Sequence, residues 1–485
     1  MDEGQLLAYP ELVRRGAIPN LDFENSYGPA NLWVLSLAFE LLGASVISER
    51  LVGVCYRLLI VAGVYAFALV LAGEANHFAQ KLRPHSVACV AALTSAAFLA
   101  GSGCHAYAWF GGMVAALGSI HSLYRGLAGV NHRALVQGGL LAGVAVSFRL
   151  DLSLAVGLSA LPLVLAASGR GKCSYALGLG LGLLPLAAHV ARVGIARAWQ
   201  GLFVETVLLA GPGRRLPLPP GGLLRALFFF AAILVVAALL WFAVRALAAA
   251  PLNVCGRVRL ALAALSVGAL PQLLQRADVL HAIHAACVAL PLLPVAALLG
   301  QRGARRQAYR ALAIASASIA VVSSGANLAK ALASVRWLEH AGRRFPLEPA
   351  LAASLEPVLR EIDARAPTGA QLFVGPRDLR RSNVADTFLY FMLPRLQPAS
   401  YFTEMNPGVA NAPGSSLARD IEQADFLILT SRFDSWNESN ASAHLGPEAP
   451  RQVVDNHFCR LLTSGTFELY ERCDRLGVPL MIASD

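Results

Sequence analysis

Asp2-Glu3, Gly16-Ala17-Ile18-Pro19, Asp22-Phe23 and Tyr27-Gly28-Pro29 follow one another in the stretch on which the fold reading turns. Two adjacent acids open it, and a long apolar body follows it. Gln5 to Arg15 reads as a short amphipathic helix. A second, more apolar helix is expected over Asn31 to Leu42, with Gly43 ending it. Taken alone, Asp2 and Glu3 are explained by capping the first helix, where negative charge favours its dipole.

Outward from there the composition is that of a membrane protein. Hydrophobic residues make up 56% of the 485 and charged residues only 14%, well under the roughly 25% of soluble domains. Mean hydropathy is +0.55. Apolar runs near 49–72, 86–103, 106–124, 134–150, 152–168, 173–190, 223–244, 260–274, 282–300 and 311–329 give about ten expected spans. The net charge of +10 does not point to nucleic acid, because the basic residues are scattered through short loops. Loops carrying Lys81/Arg83, Arg125/Arg133, Arg170/Lys172, Arg245/Arg257/Arg259 and Arg302/Arg305/Arg306/Arg310 are the richer set and are expected in the cytoplasm. The opposite loops, with Arg149, Arg192, Arg197, Arg214, Arg215 and Arg276, then face outward, together with both ends of the chain. Gly178, Gly180 and Gly182 fall within a span, where close helix packing explains them better than a phosphate loop.

Residues 330–485 change character and predict an α/β domain. Strands are expected at Gln371–Gly375, Ala399–Thr403, Asp425–Thr430 and Phe467–Tyr470, and helices at Ala385–Leu393, Ser416–Ala424 and around Arg451–Leu462. The domain division expected is an acidic first loop over 1–48, a helical membrane body over 49–329, and the α/β part over 330–485. Cys55, Cys89, Cys104, Cys173, Cys255 and Cys287 read as small core residues. Cys459 and Cys473 would pair in an oxidising compartment, with two buried thiols the slightly favoured alternative. The glycosylation sequons at Asn437 and Asn440 carry no weight.

The order of the opening motifs resembles the first extracytoplasmic loop of the GT-C glycosyltransferases that use polyprenyl-phosphate sugars. These include the protein O-mannosyltransferases, the lipid A aminoarabinose transferase and Rgt-like transferases. The resemblance implies a mainly α polytopic bundle with an extracytoplasmic α/β domain, and an acid at the Asp2 position that acts in sugar transfer. Family members carry a transmembrane helix before this loop; Met1 here directly precedes Asp2, and a coding start further upstream is expected.

Sugar transfer from such a carrier needs a base for the acceptor hydroxyl and cations for the departing lipid phosphate. Asp2 is the expected base, since a partly desolvated carboxylate has a raised pKa. Glu3 is expected to orient the acceptor. Asp22, beside Tyr27, is a secondary candidate whose ordinary role is to satisfy its own turn. Arg149 with Asp151, and Arg276 with Asp278, His281 and His284, are the candidate phosphate-binding groups, because guanidinium donors pair well with phosphate. Ordinary interfacial ion pairs are the competing account: slightly preferred for Arg149, while the Arg-x-Asp-x-x-His pattern of Rgt-like relatives favours function for Arg276 and His281. Several relatives place a second acid in the next outer loop. Gly101 to Tyr107 has none, only His105 and Tyr107, so a divalent metal site is poorly supported and no required metal is expected. In the outer loop 191–222, Trp199, Phe203 and Glu205 mark an interfacial helix that either covers substrate or lies passively on the bilayer.

The reaction expected is inverting transfer of one sugar from a polyprenyl-phosphate donor to an extracytoplasmic hydroxyl, at a bacterial inner membrane. A lipid-linked sugar flippase would show inverted repeats and charges at midplane, and the sequence has neither. A catalytically silent cell-envelope scaffold is the other alternative.

Overall fold

The computed structural model describes residues 2–76, 83–211, 216–218, 220–249, 253–297, 305–331, 335–400, 404–434 and 445–476. Lys81, Arg214, Arg215, Arg302, residues 401–403 of one expected strand and both sequons lie outside them.

Two helices, α1 (Asp2–Arg14) and α2 (Ala30–Leu42), precede the helical body. The body begins with α3 (Val46–Asn76), α4 (Pro84–Ala100), α5 (Ala108–Ala128), α6 (His132–Phe148), α7 (Leu152–Val164) and α8 (Gly169–Val193). A short α9 (Ile195–Trp199) runs directly into a π-helix over Gln200–Leu209. There follow α10 (Leu223–Ala249), α11 (Val254–Gln275), α12 (Val279–Ala286), α13 (Ala289–Ala297) and α14 (Arg305–Ala331). Among the described residues, Val46–Gly73, Gly169–Val193, Leu223–Ala248 and Val254–Gln275 are long and apolar enough to cross a bilayer. The pair α12 and α13, bent by 44°, would make a broken fifth. The remaining expected spans fall on shorter or less apolar helices.

Small residues set how closely the helices approach. Gly178 and Gly182 of α8 lie against the backbone of Val136 and Leu140 on α6, leaving no room for a Cβ, while Gly180 faces open space. At the centre of the body, α12 and α13 are buried along almost their whole length, among Phe98, Trp109, Phe110 and Leu265. The cysteines expected in the core divide differently. Cys287 is buried and Cys255 half-buried, but Cys55, Cys89, Cys104 and Cys173 are exposed. An apolar thiol suits an outward, lipid-facing position as well as a packed one.

The C-terminal part starts with an antiparallel hairpin, β1 (Arg336–His340) and β2 (Arg343–Leu347), and α15 (Pro349–Arg365), none of which the sequence reading placed. The main sheet has five strands in the order β5-β3-β7-β9-β8. Its members are β3 (Gln371–Pro376), β5 (Gln397–Pro398), β7 (Phe426–Thr430), β8 (Phe458–Ser464) and β9 (Phe467–Arg472), with β3, β5 and β7 parallel and the hairpin β8–β9 antiparallel. A small ladder joins β4 (Asn383–Val384) to β6 (Glu404–Met405). Alternation along the strands fills two cores. Leu372, Val374, Phe426 and Ile428 face α15 on one side, and Phe373, Leu427 and Leu429 face Leu417, Ile421 and Val454 on the other.

Several expected elements are corrected. The helix placed around Arg451–Leu462 is α-helical only over Ala449–His457, and Phe458 to Ser464 instead pair with β9. A neighbouring edge to pair with outweighed local helix propensity there. The helix over Ala385–Leu393 shortens to Phe388–Met392, and Ala399 and Ser400 are not strand. Cys459 and Cys473 are disulfide-bonded, against the favoured reading of two thiols, because the β8–β9 hairpin brings their Cα atoms to 5.0 Å.

The first helices belong to both bodies. Leu6 of α1 and Leu35 of α2 join the membrane core, whereas Leu7 and Phe39 are buried in the core of the sheet. Arg343 of β2 donates to Glu11 of α1 at 2.8 Å. The segment is an adapter between the two halves.

Candidate active site

The N-terminal end of α1 is pressed against the start of α3 and the loop between α4 and α5. Glu3 sits there with 10% of its side chain exposed. It accepts hydrogen bonds from Arg50 Nε at 2.7 Å and Nη2 at 3.2 Å, and His105 Nδ1 lies 3.4 Å from it. Burial works against its charge, but the nearby His105 and the hydrogen bonds from Arg50 prevail and hold its pKa down at about 2. Glu3 is therefore a fixed anion at neutral pH. Asp2 is the first described residue of α1, and its side chain lies outside the described residues.

Beneath Glu3, the wholly buried Glu49 of α3 accepts from the Ala106 amide at 2.6 Å through Oε1. Its Oε2 has no hydrogen-bond partner, and His105 Nδ1 is 4.0 Å away. Glu3, Glu49 and His105 each offer one ligand atom within 4.8 Å of the others. Two carboxylates and an imidazole are a donor set for a divalent cation such as zinc or manganese. The unpartnered, buried Oε2 of Glu49 fits that use. Glu49, the second carboxylate of this group, comes from α3 and not from the loop Gly101–Tyr107.

The loop is held to this place from below. Gly53 of α3 lies against the Cys104 carbonyl and the His105 backbone, where any side chain would collide. Arg57, one turn along and buried, donates to the carbonyls of Gly53 and His105 at 2.8 Å each and to the Ser102 hydroxyl at 3.1 Å. Its guanidinium lies 4.2 Å from the Phe110 ring centroid. Asn31 of α2 adds a bond to the Ala106 carbonyl at 2.9 Å.

A second, cationic group stands alongside. Arg149 pairs with Asp151 at 3.0 and 2.7 Å and lies over the rings of Tyr27 at 4.4 Å and Trp109 at 5.5 Å. Tyr27 reaches this position because Gly28 abuts the Ser147 carbonyl, again with no space for a Cβ. Arg276 Nε donates to Asp278 Oδ2 at 3.0 Å. The other oxygen of Asp278 takes the His281 amide at 2.9 Å and His281 Nδ1 at 2.8 Å. Burial opposes the charge of Asp278, yet His281 and Arg276 hold its pKa well below the usual carboxylate range. Both ion pairs weighed from the sequence are formed. His284 is buried between Trp109, stacked at 5.2 Å, and Phe110 at 5.1 Å, and neither ring nitrogen has a hydrogen-bond partner.

Tyr107 joins the two groups, 5.6 Å from His105 and 6.4 Å from His284 between ring centroids, and His284 lies 5.6 Å from His281. The group at Glu3 is thereby linked to the groups at Arg149 and at Arg276, Asp278 and His281 through the rings of Tyr107, Trp109 and His284. Asp22 instead accepts from the Ile18 amide at 2.7 Å and closes its own turn. Phe203 of the π-helix stacks on Trp199, the last residue of α9, at 4.4 Å, and the π-helix region bridges other parts. Thr206 donates to the Ser26 carbonyl at 3.4 Å, and Asn406 of the C-terminal part donates to the Ala210 carbonyl at 3.2 Å. Sequence reasoning passed over Glu49, Arg50 and Arg57. Glu49 looks like an ordinary first-turn acid complementing the α3 dipole. Arg57 did carry a signal, since a lone arginine inside an apolar span is costly to bury.

No family model matches the sequence, and no curated protein does. Among solved structures, ArnT from Cupriavidus metallidurans in the apo state superposes with a TM-score of 0.52 at 11% identity, covering 96% of this chain and 92% of that one. ArnT from the same organism bound to undecaprenyl phosphate gives 0.49 at 13% identity, covering 97% and 93%. At such identities the likeness to the apo structure is one of fold.

Proposed function

Because the chain has the GT-C glycosyltransferase fold, we propose that it is a membrane transferase moving a sugar from a polyprenyl-phosphate carrier to a hydroxyl acceptor. The observation that carries this reading is the ring-linked pair of groups. A carboxylate–imidazole centre at Glu3, Glu49 and His105 meets a guanidinium–imidazole centre at Arg149, Arg276 and His281, where the adapter helices meet the membrane body. One end suits an acceptor hydroxyl and the other a lipid phosphate.

In this mechanism the acceptor oxygen attacks the anomeric carbon, and the carbon–oxygen bond to phosphate breaks with its electron pair leaving on the phosphate. A single displacement inverts the anomeric centre. Asp2 is assigned the base by resemblance. Glu3, fixed as an anion near a pKa of 2, orients rather than accepts a proton. Arg149, Arg276 and His281 receive the phosphate, with Asp278 and Tyr27 holding them in place. Glu3, Glu49 and His105 are the residues that would hold a divalent cation, whose charge would offset that of the carrier phosphate. We place the site and the α/β part on the extracytoplasmic side of a bacterial inner membrane, supported by the excess of basic residues in the opposite loops.

Purified protein in liposomes, given radiolabelled polyprenyl-phosphate sugars and candidate acceptors, tests the proposal. Transfer is expected for one donor, with a loss of about 10²-fold or more in Asp2→Asn. Equal turnover by that variant would remove Asp2 from the mechanism. Carrier crossing without transfer would favour a flippase.

A further inference from the structure

Resting on the transferase reading, we propose that His281, oriented by Asp278, donates the proton that the departing lipid phosphate takes up. The geometry is that of a carboxylate–imidazole pair. Asp278 caps α12 and accepts from both the amide and Nδ1 of His281, at 2.9 and 2.8 Å. With Nδ1 committed to the carboxylate, Nε2 is the nitrogen through which a proton enters and leaves. The side chain is 23% exposed, whereas its neighbour His284 is buried. Asp278 also takes Arg276 Nε at 3.0 Å, so the imidazole and a phosphate-binding guanidinium share one anion. That places the proton on the leaving-group side of the site, away from Glu3 and Glu49.

The charges around the ring are mixed. Asp278 and Arg276 stand beside it, with His284 on the same helix. Tyr107 approaches from the α4–α5 loop through His284, and α10 packs on Ala282 and Ala286 with the apolar Phe228 and Ala232. The step balances. The donor's phosphodiester carries one negative charge; breaking the anomeric C–O bond puts a second on the phosphate, and Nε2–H protonates it to the monoanion. The acceptor's proton goes to the base at the other end, and both groups reset by exchange with water.

The test compares wild type, His281→Gln and Asp278→Asn in liposomes, using a polyprenyl-phosphate sugar and its non-bridging phosphorothioate, whose leaving group is less basic. Wild-type kcat should fall on the alkaline side as His281 loses its proton. His281→Gln should lose that limb and about 10²-fold in kcat with the phosphate donor, but under about 10-fold with the phosphorothioate. Asp278→Asn retains a capping oxygen but loses the anion that orients the imidazole, and should slow transfer from the phosphate donor more than from the phosphorothioate. An unchanged limb in His281→Gln, or equal slowing on both donors, would overturn the proton donor and leave His281 a phosphate ligand. No transfer by wild type with any donor would remove the transferase reading and this inference with it.

Discussion

Glu3 and Arg57 are the residues whose surroundings dictate the most about the site. Glu3 is depressed from 4.5 to about 2, so the stability it supplies is present above its unfolded pKa and is lost as pH falls towards 2. The melting temperature of detergent-solubilised protein should therefore fall between about pH 5 and pH 3 less steeply in Glu3→Gln than in wild type. Identical slopes would show that the Arg50 and His105 contacts do not hold in solution. Arg57 acts through the loop it tethers. In Arg57→Met the carbonyl of His105 and the hydroxyl of Ser102 lose the guanidinium that ties them to α3, and the imidazole drifts from Glu3 and Glu49. Small displacements of a positioned group cost large factors, so transfer should drop about 10-fold or more. A parallel test by metal titration should show weakened binding of zinc or manganese if the three-residue centre is used for a cation; unchanged binding and unchanged transfer would dismiss the tether.

At the scale of elements, the β8–β9 hairpin shows how pairing overrides local preference. Val453, Val454 and the residues after them continue a helical pattern into Leu462, but β9 offers a ladder that Phe458 to Ser464 complete. The Cys459–Cys473 bond closes this hairpin across 14 residues. Loop-closure entropy for a ring of that size is worth about 3 kcal/mol, and Cys459→Ser should destabilise the C-terminal part by roughly that amount. Denaturant unfolding followed by the near-ultraviolet signal measures it, and an unchanged midpoint would show the hairpin stable without its bond. The glycines of α8 are the opposite case. Their spacing announced a close approach, and Gly178 and Gly182 make it against α6.

For the whole molecule, the consequential feature is that α1 and α2 contribute to two cores at once. Phe39 is buried with Leu355 and Leu359 of α15, while Leu35, one turn earlier, packs with Ile60 and Phe110 of the membrane body. Phe39→Ala should cost about 3–5 kcal/mol and loosen the C-terminal part from the site. Limited proteolysis should then cut that part faster, with transfer reduced; unaltered cleavage would show that the two halves are held by other contacts. Apolar runs and charge-bearing loops were enough to announce a helical membrane body with an α/β appendage, because burial in lipid or in a sheet imposes periods that any single segment displays. The acids at Asp2 and Glu3 and the Arg276–Asp278–His281 cluster stood out as candidates, since charges beside apolar runs are conspicuous, and the last three do contact one another. What only the folded chain decided is which of them meet. Glu49, Arg50 and His105 converge on Glu3 through contacts between residues some fifty to a hundred apart. Such convergence depends on helix packing angles and on close approaches at Gly28 and Gly53, and short-range pattern carries no record of either.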